Sequence, residues 1–209
     1  MNPAPNVSIL PGFANLDLGQ SQTFSSSVSG GTSPYAYQWC LNGVAVSGAT
    51  GASWDFSPSS LGSYSVYVEI NDTTGITATS NTVVVRVNAT PTVSIAAGSI
   101  VMNIGQSHLF TSSVSGGTSP YSYQWYLNGS AVLGATSATW TFTPSSAGSY
   151  NICVAINDTL GVVATSATST ATVLQTIPEF PTTIPLILVL FVVSALIMAL
   201  AKGRITIRT

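Results

Sequence analysis

The chain has 209 residues, of which 5% are charged, with 4 Lys+Arg, 6 Asp+Glu and 1 His. So few cations cannot neutralise a run of phosphates, which excludes a basic nucleic-acid binder. A single histidine and scattered acids leave little material for general acid–base chemistry. The acids Asp17, Asp55, Glu69, Asp72, Asp158 and Glu179 all precede Pro181, with Arg86 the one base among them, and Lys202, Arg204 and Arg208 close the chain. A weakly acidic body with a basic tail fits a membrane protein under the positive-inside rule.

From the N-terminus onward, the body is two copies of one unit. Gly19-Gln20-Ser21 recurs as Gly105-Gln106-Ser107, 86 residues on, and Ser27–Tyr35 recurs as Ser113–Tyr121. Between residues 19 and 73, 39 of 55 positions are identical in the second copy, so both copies share one fold. The expected units are 1–90 and 91–175, joined at Asn88-Ala89-Thr90-Pro91, where Pro91 stiffens a short connection. Within a unit the period is two. Tyr35, Tyr37, Trp39 and Leu41 alternate with Ala36, Gln38 and Cys40. Ala52, Trp54 and Phe56 alternate likewise, as do Tyr64, Val66, Val68 and Ile70, then Val83, Val85 and Val87. Turn signals at Gly30-Gly31, Asn42-Gly43, Pro58–Gly62 and Asn71–Gly75 separate these runs. Short, evenly spaced strands predict an all-β chain of two tandem β-sandwiches, each with two tryptophans to fill its core.

Two features narrow the sandwich. Trp39 and Trp125 sit mid-strand after a Gly-Gly turn, and Trp54 and Trp140 lie on a later strand. Tyr64 and Tyr150 follow Pro-Ser-Ser-x-Gly-Ser and open a strand, as the tyrosine corner of an immunoglobulin domain does. The usual second cysteine of that corner is replaced by Val66 and Ile152. With its TSPYxYQWxLNG run, the unit resembles the immunoglobulin-like or PKD-like repeats of archaeal and bacterial cell-surface proteins. The resemblance covers Asn6–Val87 and Thr92–Val173. The Trp-Asp-Phe-Gly-Asp-Gly run of PKD domains is absent, because Trp54-Asp55-Phe56 becomes Trp140-Thr141-Phe142.

Other residues invite weighing. Cys40 aligns with Tyr126 and Cys153 with Tyr67; alternation points both thiols away from the core, either free or paired between molecules. Five Asn-x-Ser/Thr sequons, at Asn6, Asn71, Asn88, Asn128 and Asn157, are either glycan acceptors or ordinary turn residues, Asn71 and Asn157 being expected at exposed tips. His108 reads as a strand residue on the surface. Asp72 and Asp158 fall in Asn-Asp-Thr turns, where the side chain bonds its own backbone. Outward tyrosines such as Tyr67 and Tyr126 either pack across strands or stack on sugar rings. No catalytic, cofactor-binding or metal-binding set is read from the sequence.

The C-terminal part reads as a Pro-rich spacer over 176–183, a transmembrane helix over 184–201 and a basic cytoplasmic tail over 202–209. Ile184–Ala201 carries no charge, and eighteen helical residues span about 27 Å of a hydrocarbon core roughly 30 Å thick. The tail cations place the C-terminus in the cytoplasm and the body outside the cell. Met1–Leu10 has no basic region and no apolar run, so the expectation is the C-terminal part of a longer exported protein, with a tail-anchored orientation as the alternative. Pro178-Glu179-Phe180-Pro181, followed by the apolar span and basic tail, resembles the C-terminal sorting signals that archaeosortase-type enzymes process; the alternative is a plain stop-transfer anchor. Together these features predict a non-catalytic, single-pass surface protein acting as a spacer or in adhesion. Its expected partners are the lipid bilayer, cell-envelope glycans or other surface proteins, and a sortase-like processing enzyme, with no nucleic acid. The alternatives are a carbohydrate- or partner-binding module, or the stalk of a larger surface enzyme.

Overall fold

The computed structural model describes residues 2–96, 98–175 and Met198. The chain divides into two compact units, Met1–Leu174 and Gln175–Thr209. Gln175 and Met198 are both exposed. Met198 apart, the expected spacer, the Pro178–Pro181 element, the 184–201 helix and the 202–209 tail lie outside the described residues. Among the described residues, no helix is long and apolar enough to cross a membrane.

The first unit is all β. Its first half holds β1 (Asn6–Leu10), β2 (Ala14–Asp17), β3 (Gln22–Ser29), β4 (Ala36–Leu41), β5 (Val44–Ala45), β6 (Ser53–Phe56), β7 (Gly62–Asn71), β8 (Thr77–Thr79) and β9 (Val83–Asn88). One sheet has the order β1-β3-β6; the facing sheet has the order β2-β9-β7-β4-β5, with β8 on β7. The ladders are antiparallel except β2 on β9, which run parallel. The second half repeats this plan with β10 (Thr92–Ile95), β11 (Ile100–Asn103), β12 (His108–Ser115), β13 (Ser122–Leu127), β14 (Ser130–Ala131), β15 (Thr139–Phe142), β16 (Gly148–Asn157), β17 (Val163–Thr165) and β18 (Ser169–Leu174). Its sheets are β10-β12-β15 and β11-β18-β16-β13-β14, with β17 on β16. The strands thus form two tandem immunoglobulin-like sandwiches, the chain crossing between facing sheets as in that fold.

The period-two pattern places the core. Val66, Val68 and Ile70 of β7 and Val83, Val85 and Val87 of β9 are all buried on one face. Trp39 is fully buried, stands 6.3 Å from Phe24 between ring centroids, and donates its Nε1–H to Gly51 O at 2.9 Å. Trp125 repeats this with Phe110 and Ser137 O. Burying an indole of about 150–250 Å² is worth roughly 4–6 kcal/mol. Its N–H is the one polar atom that must find a partner. Trp54 and Trp140 are only half-buried, flanking the core about one ring away from Trp39 and Trp125. Tyr64 donates its hydroxyl to Ser60 O at 2.8 Å and Tyr150 to Ser146 O at 2.9 Å, pinning the loop before each long strand.

On the outer face of the larger sheet the two copies differ by an exchange. Cys40 of β4 lies opposite Tyr67 of β7, whereas Tyr126 of β13 lies opposite Cys153 of β16. One small and one large side chain therefore share each cross-strand site, with the strands traded. Cys40 does point away from the core, but it is 4% exposed rather than open to solvent. The β5 hairpin partner Ala45 and Tyr67 both lie opposite it, and cover a side chain that alternation alone leaves outside. Cys153 is half-buried, and both thiols are free. Burial raises the Cys153 thiol above its ordinary range.

Candidate functional site

Each sandwich has two ends. The head carries the Gly-Gly turn and the Asn-Asp-Thr turn; the base carries the turn after the second strand and the end of the last strand. The heads are built alike. Asp72 is buried and spans its own turn, its Oδ1 accepting from Thr74 N at 2.9 Å, Thr74 Oγ1 at 2.7 Å and Ile76 N at 3.0 Å. Its Oδ2 accepts from Thr32 N at 3.0 Å. The Thr74 hydroxyl first, then these N–H groups, hold the carboxyl below its usual range. Asp158 repeats the set with Leu160 N, Val162 N and Thr118 N. The expectation that these acids bond their own turns therefore describes the geometry. They are buried, however, while the preceding Asn71 and Asn157, the last residue of each strand, and the following Thr73 and Thr159 are exposed.

The connection between the sandwiches lies across the second head. Gly117 N donates to Ala89 O at 2.6 Å, and Tyr121 OH donates to Gly116 O at 2.6 Å. Gly116 and Gly117 both have φ of +69°. A Cβ on Gly117 would lie 2.8 Å from Pro91 Cβ, and one on Gly116 would run into Thr90 O. The Gly-Gly pair is required twice over: for its left-handed backbone, and because the connecting segment passes where side chains would stand. Pro91 is buried there.

The base of the first sandwich closes on this head. Asp17, at the end of β2, is fully buried. Its Oδ1 accepts from Thr118 Oγ1 at 3.1 Å, and its carboxyl is hydrogen-bonded to Asp158. Asn88 Nδ2 donates to Thr118 Oγ1 at 2.9 Å, and Gln20 Nε2 donates to Leu160 O at 3.3 Å. Gln20 is itself fixed, its Oε1 accepting from Asp17 N at 2.8 Å. Two carboxyls in contact cannot both ionise cheaply, so one keeps its proton. Burial, then the contact with Asp158, push Asp17 up to about 6. Burial also pushes Asp158 upward, but the bond from Asp17 and the N–H groups of Thr118, Val162 and Leu160 outweigh it and hold Asp158 below its ordinary value. Asp17 is thus the donor. Its Oδ2 is buried with no partner that donates to it, and a proton on that oxygen directed at Asp158 satisfies it.

Asp17, Gln20 and Thr118 carry this junction, and sequence reasoning singled out none of them. One signal was available: Asp17 becomes Asn103 in the second copy, within a turn otherwise alike. Asn6 and Asn128 are exposed, Asn128 Oδ1 accepting from Asn151 N at 2.8 Å. Asn88 is half-buried, with its amide nitrogen engaged by Thr118, so this sequon belongs to the junction. Tyr67 and Tyr126 are half-buried beside the cysteines; the hydrogen bond with Cys40 raises the Tyr67 phenol above its usual range. His108 is half-buried, with its ring 4.7 Å from Phe110. Among the described residues, no group of three or more His, Cys, Asp or Glu gathers as metal ligands would.

No protein-family model matches the sequence, and no curated protein matches it. Solved structures do. Fibronectin(III)-like modules of Clostridium thermocellum CbhA match over 84% of this chain and 97% of theirs, at 16% identity and a TM-score of 0.44. Three N-terminal domains of the bacteriophage RB49 highly immunogenic outer capsid protein match over 81% of this chain and 59% of theirs, at 18% identity and a TM-score of 0.48. The N-terminal four immunoglobulin domains of Dscam1 isoform 7.44 match over 83% of this chain and 46% of theirs, at 13% identity and a TM-score of 0.41. The chain therefore spans about half the length of the capsid and Dscam1 chains. At these identities the likeness concerns fold alone.

Proposed function

We propose that this chain is a membrane-anchored cell-surface spacer, in which two immunoglobulin-like sandwiches form a stiff stalk outside the cell. The observation that carries this reading is the buried junction. Asp17, Gln20 and Asn88 of one sandwich bond Thr118, Asp158 and Leu160 of the next, which opposes bending between them. Ile184–Ala201 is the anchor, Lys202, Arg204 and Arg208 face the cytoplasm, and Pro178–Pro181 is the element a sortase-like enzyme would process. Asn6, Asn71, Asn128 and Asn157 are exposed sequons, and glycans on residues of this kind suit an envelope crowded with sugars. The body's work is positional and needs no catalysis.

The test is a distance. A ten-residue strand is about 33 Å long, so two sandwiches end to end reach roughly 65 Å. The full chain is reconstituted in vesicles with a fluorophore on its N-terminal amine and acceptor dyes in the lipid headgroups. Negligible energy transfer with a dye pair whose transfer radius is about 30 Å, less than half that height, supports a standing stalk. Efficient transfer means that the body lies on the membrane, and the spacer reading fails.

A further inference from the structure

The first head has the same construction as the second, down to the segment that crosses it. Asn2-Pro3-Ala4-Pro5 stands to the first sandwich as Asn88-Ala89-Thr90-Pro91 stands to the second. Gly31 N donates to Pro3 O at 2.7 Å, as Gly117 N does to Ala89 O. Asn2 Nδ2 reaches Thr32 Oγ1 at 3.4 Å, as Asn88 Nδ2 reaches Thr118 Oγ1. A Cβ on Gly31 would lie 2.8 Å from Pro5 Cβ, the same approach that Gly117 makes to Pro91. Thr73 N and Oγ1 both bond Thr32 O, as Thr159 does Thr118 O. The first head therefore holds residues 2–5 in the course that, in the second sandwich, belongs to a connection between docked sandwiches.

We infer that the head of the first sandwich is a docking surface for the base of a further sandwich of this repeat, one whose last strand leads into Asn2. The chemistry of the occupant follows from the junction already formed. It presents an Asp17-like carboxyl or amide to Asp72 and Thr32, and a Gln20-like amide to the Thr74 carbonyl. A hollow of about 310 Å³ lined by Pro34, Tyr35, Asp72 and Thr73 lies at this head. A second molecule docking through its own free base is disfavoured. Leu174 corresponds to Asn88, and so does Asn2, so the two segments would compete for one place. This inference concerns the first head and is independent of how the chain is anchored.

The test adds the occupant. Residues 6–87 are grafted directly ahead of Asn2 in the full chain, which reproduces the spacing of the existing junction. Aspartate carboxyls are followed by carbon-13 NMR in nanodiscs, and folding of the graft is read from its own indole signals. Docking predicts a second aspartate titrating with Asp17 near 6, and Asp72→Asn at the docked head lowers it by removing the partner carboxyl while burial keeps part of the rise. A folded graft whose aspartate titrates in the ordinary range overturns the inference. If the first graft does not fold, residues 92–173 carrying Asn103→Asp present the same base on the second framework and answer the same question.

Discussion

Replacing Asp17 by Asn should remove a pH dependence from the junction. Asp17 binds its proton up to about pH 6 when docked, against an ordinary value of 3.8 when the junction opens. Between these values the docked state holds more protons, so docking weakens as pH rises. The contribution of Asp17 is complete below its ordinary value and is lost through about 6. Two pKa units at about 1.4 kcal/mol each put the loss near 3 kcal/mol by neutral pH. Asp158 has the opposite sign: it is held below its ordinary value, so its contribution fades only in stronger acid. The amide that Asp17→Asn introduces donates to Asp158 at every pH and still accepts from the Thr118 hydroxyl. The second sandwich already carries an amide there, as Asn103. The measurement is thermal unfolding of the full chain in detergent at pH 4.5 and 7.5, with and without Asp17→Asn, alongside carbon-13 titration of Asp17. The wild type should lose stability between the two pH values, while the variant changes little and becomes the more stable at pH 7.5. Parallel curves, or Asp17 titrating in the ordinary range, would refute the shared proton.

Three further outcomes follow from packing. Trp39→Ala should destabilise the first sandwich by roughly 3–5 kcal/mol in denaturant unfolding, through the cavity and the orphaned Gly51 carbonyl, and leave the second near its original midpoint. Cys40→Tyr should cost about 1–3 kcal/mol by overpacking against Tyr67, and Tyr67→Cys in the same chain should recover most of it, because that pair is the one found at Tyr126 and Cys153. Equal stability of the single and double variants would show that the exchange is not compensatory. Gly117→Ala should destabilise by about 2 kcal/mol or more, from positive φ together with the contact on Pro91, and should speed proteolysis at the connection.

The sandwiches were legible because their information is local. Alternation along Tyr64–Ile70 and Val83–Val87 sets the buried face of each strand, and the internal repeat gives two readings of every element. The head turns were legible for the same reason, since Asp72 and Asp158 bond residues two and four positions on. The junction was not. Asp17 sits beside a Leu-Gly turn and reads as a loop acid; its burial comes from Thr118 and Asp158, more than a hundred residues away. Cys40 fails similarly, because alternation gives the face of a sheet but not what covers it. The repeat seen from Asn6 onward also continues four residues earlier, to Asn2 and Pro5, where the match is sparse and the shared backbone course makes it plain.

Charge is so scarce here that its placement is informative. Of the described acids, Asp17, Asp72 and Asp158 are buried, and Asp55 accepts from Thr23 Oγ1. Most of the described acids therefore serve local structure, and the exposed surface relies on hydroxyls and amides for its hydration. Comparison of the copies separates the roles. Asp55 and Thr23 become Thr141 and Leu109, so the surface acid and its partner are lost together. Asp72 and Asp158 are the same in both copies and share three backbone N–H donors, the Thr74 hydroxyl being added at Asp72 alone. Asp17 and Asn103 differ, though the turn holding each is the same, Gln106 Oε1 accepting from Asn103 N at 2.7 Å as Gln20 does from Asp17 N. The head is thus the constant half of the joint and the base the variable half. An acid at the base of the first sandwich gives its joint a pH response that an amide in the same place would remove. That choice is made by one residue without disturbing either sandwich.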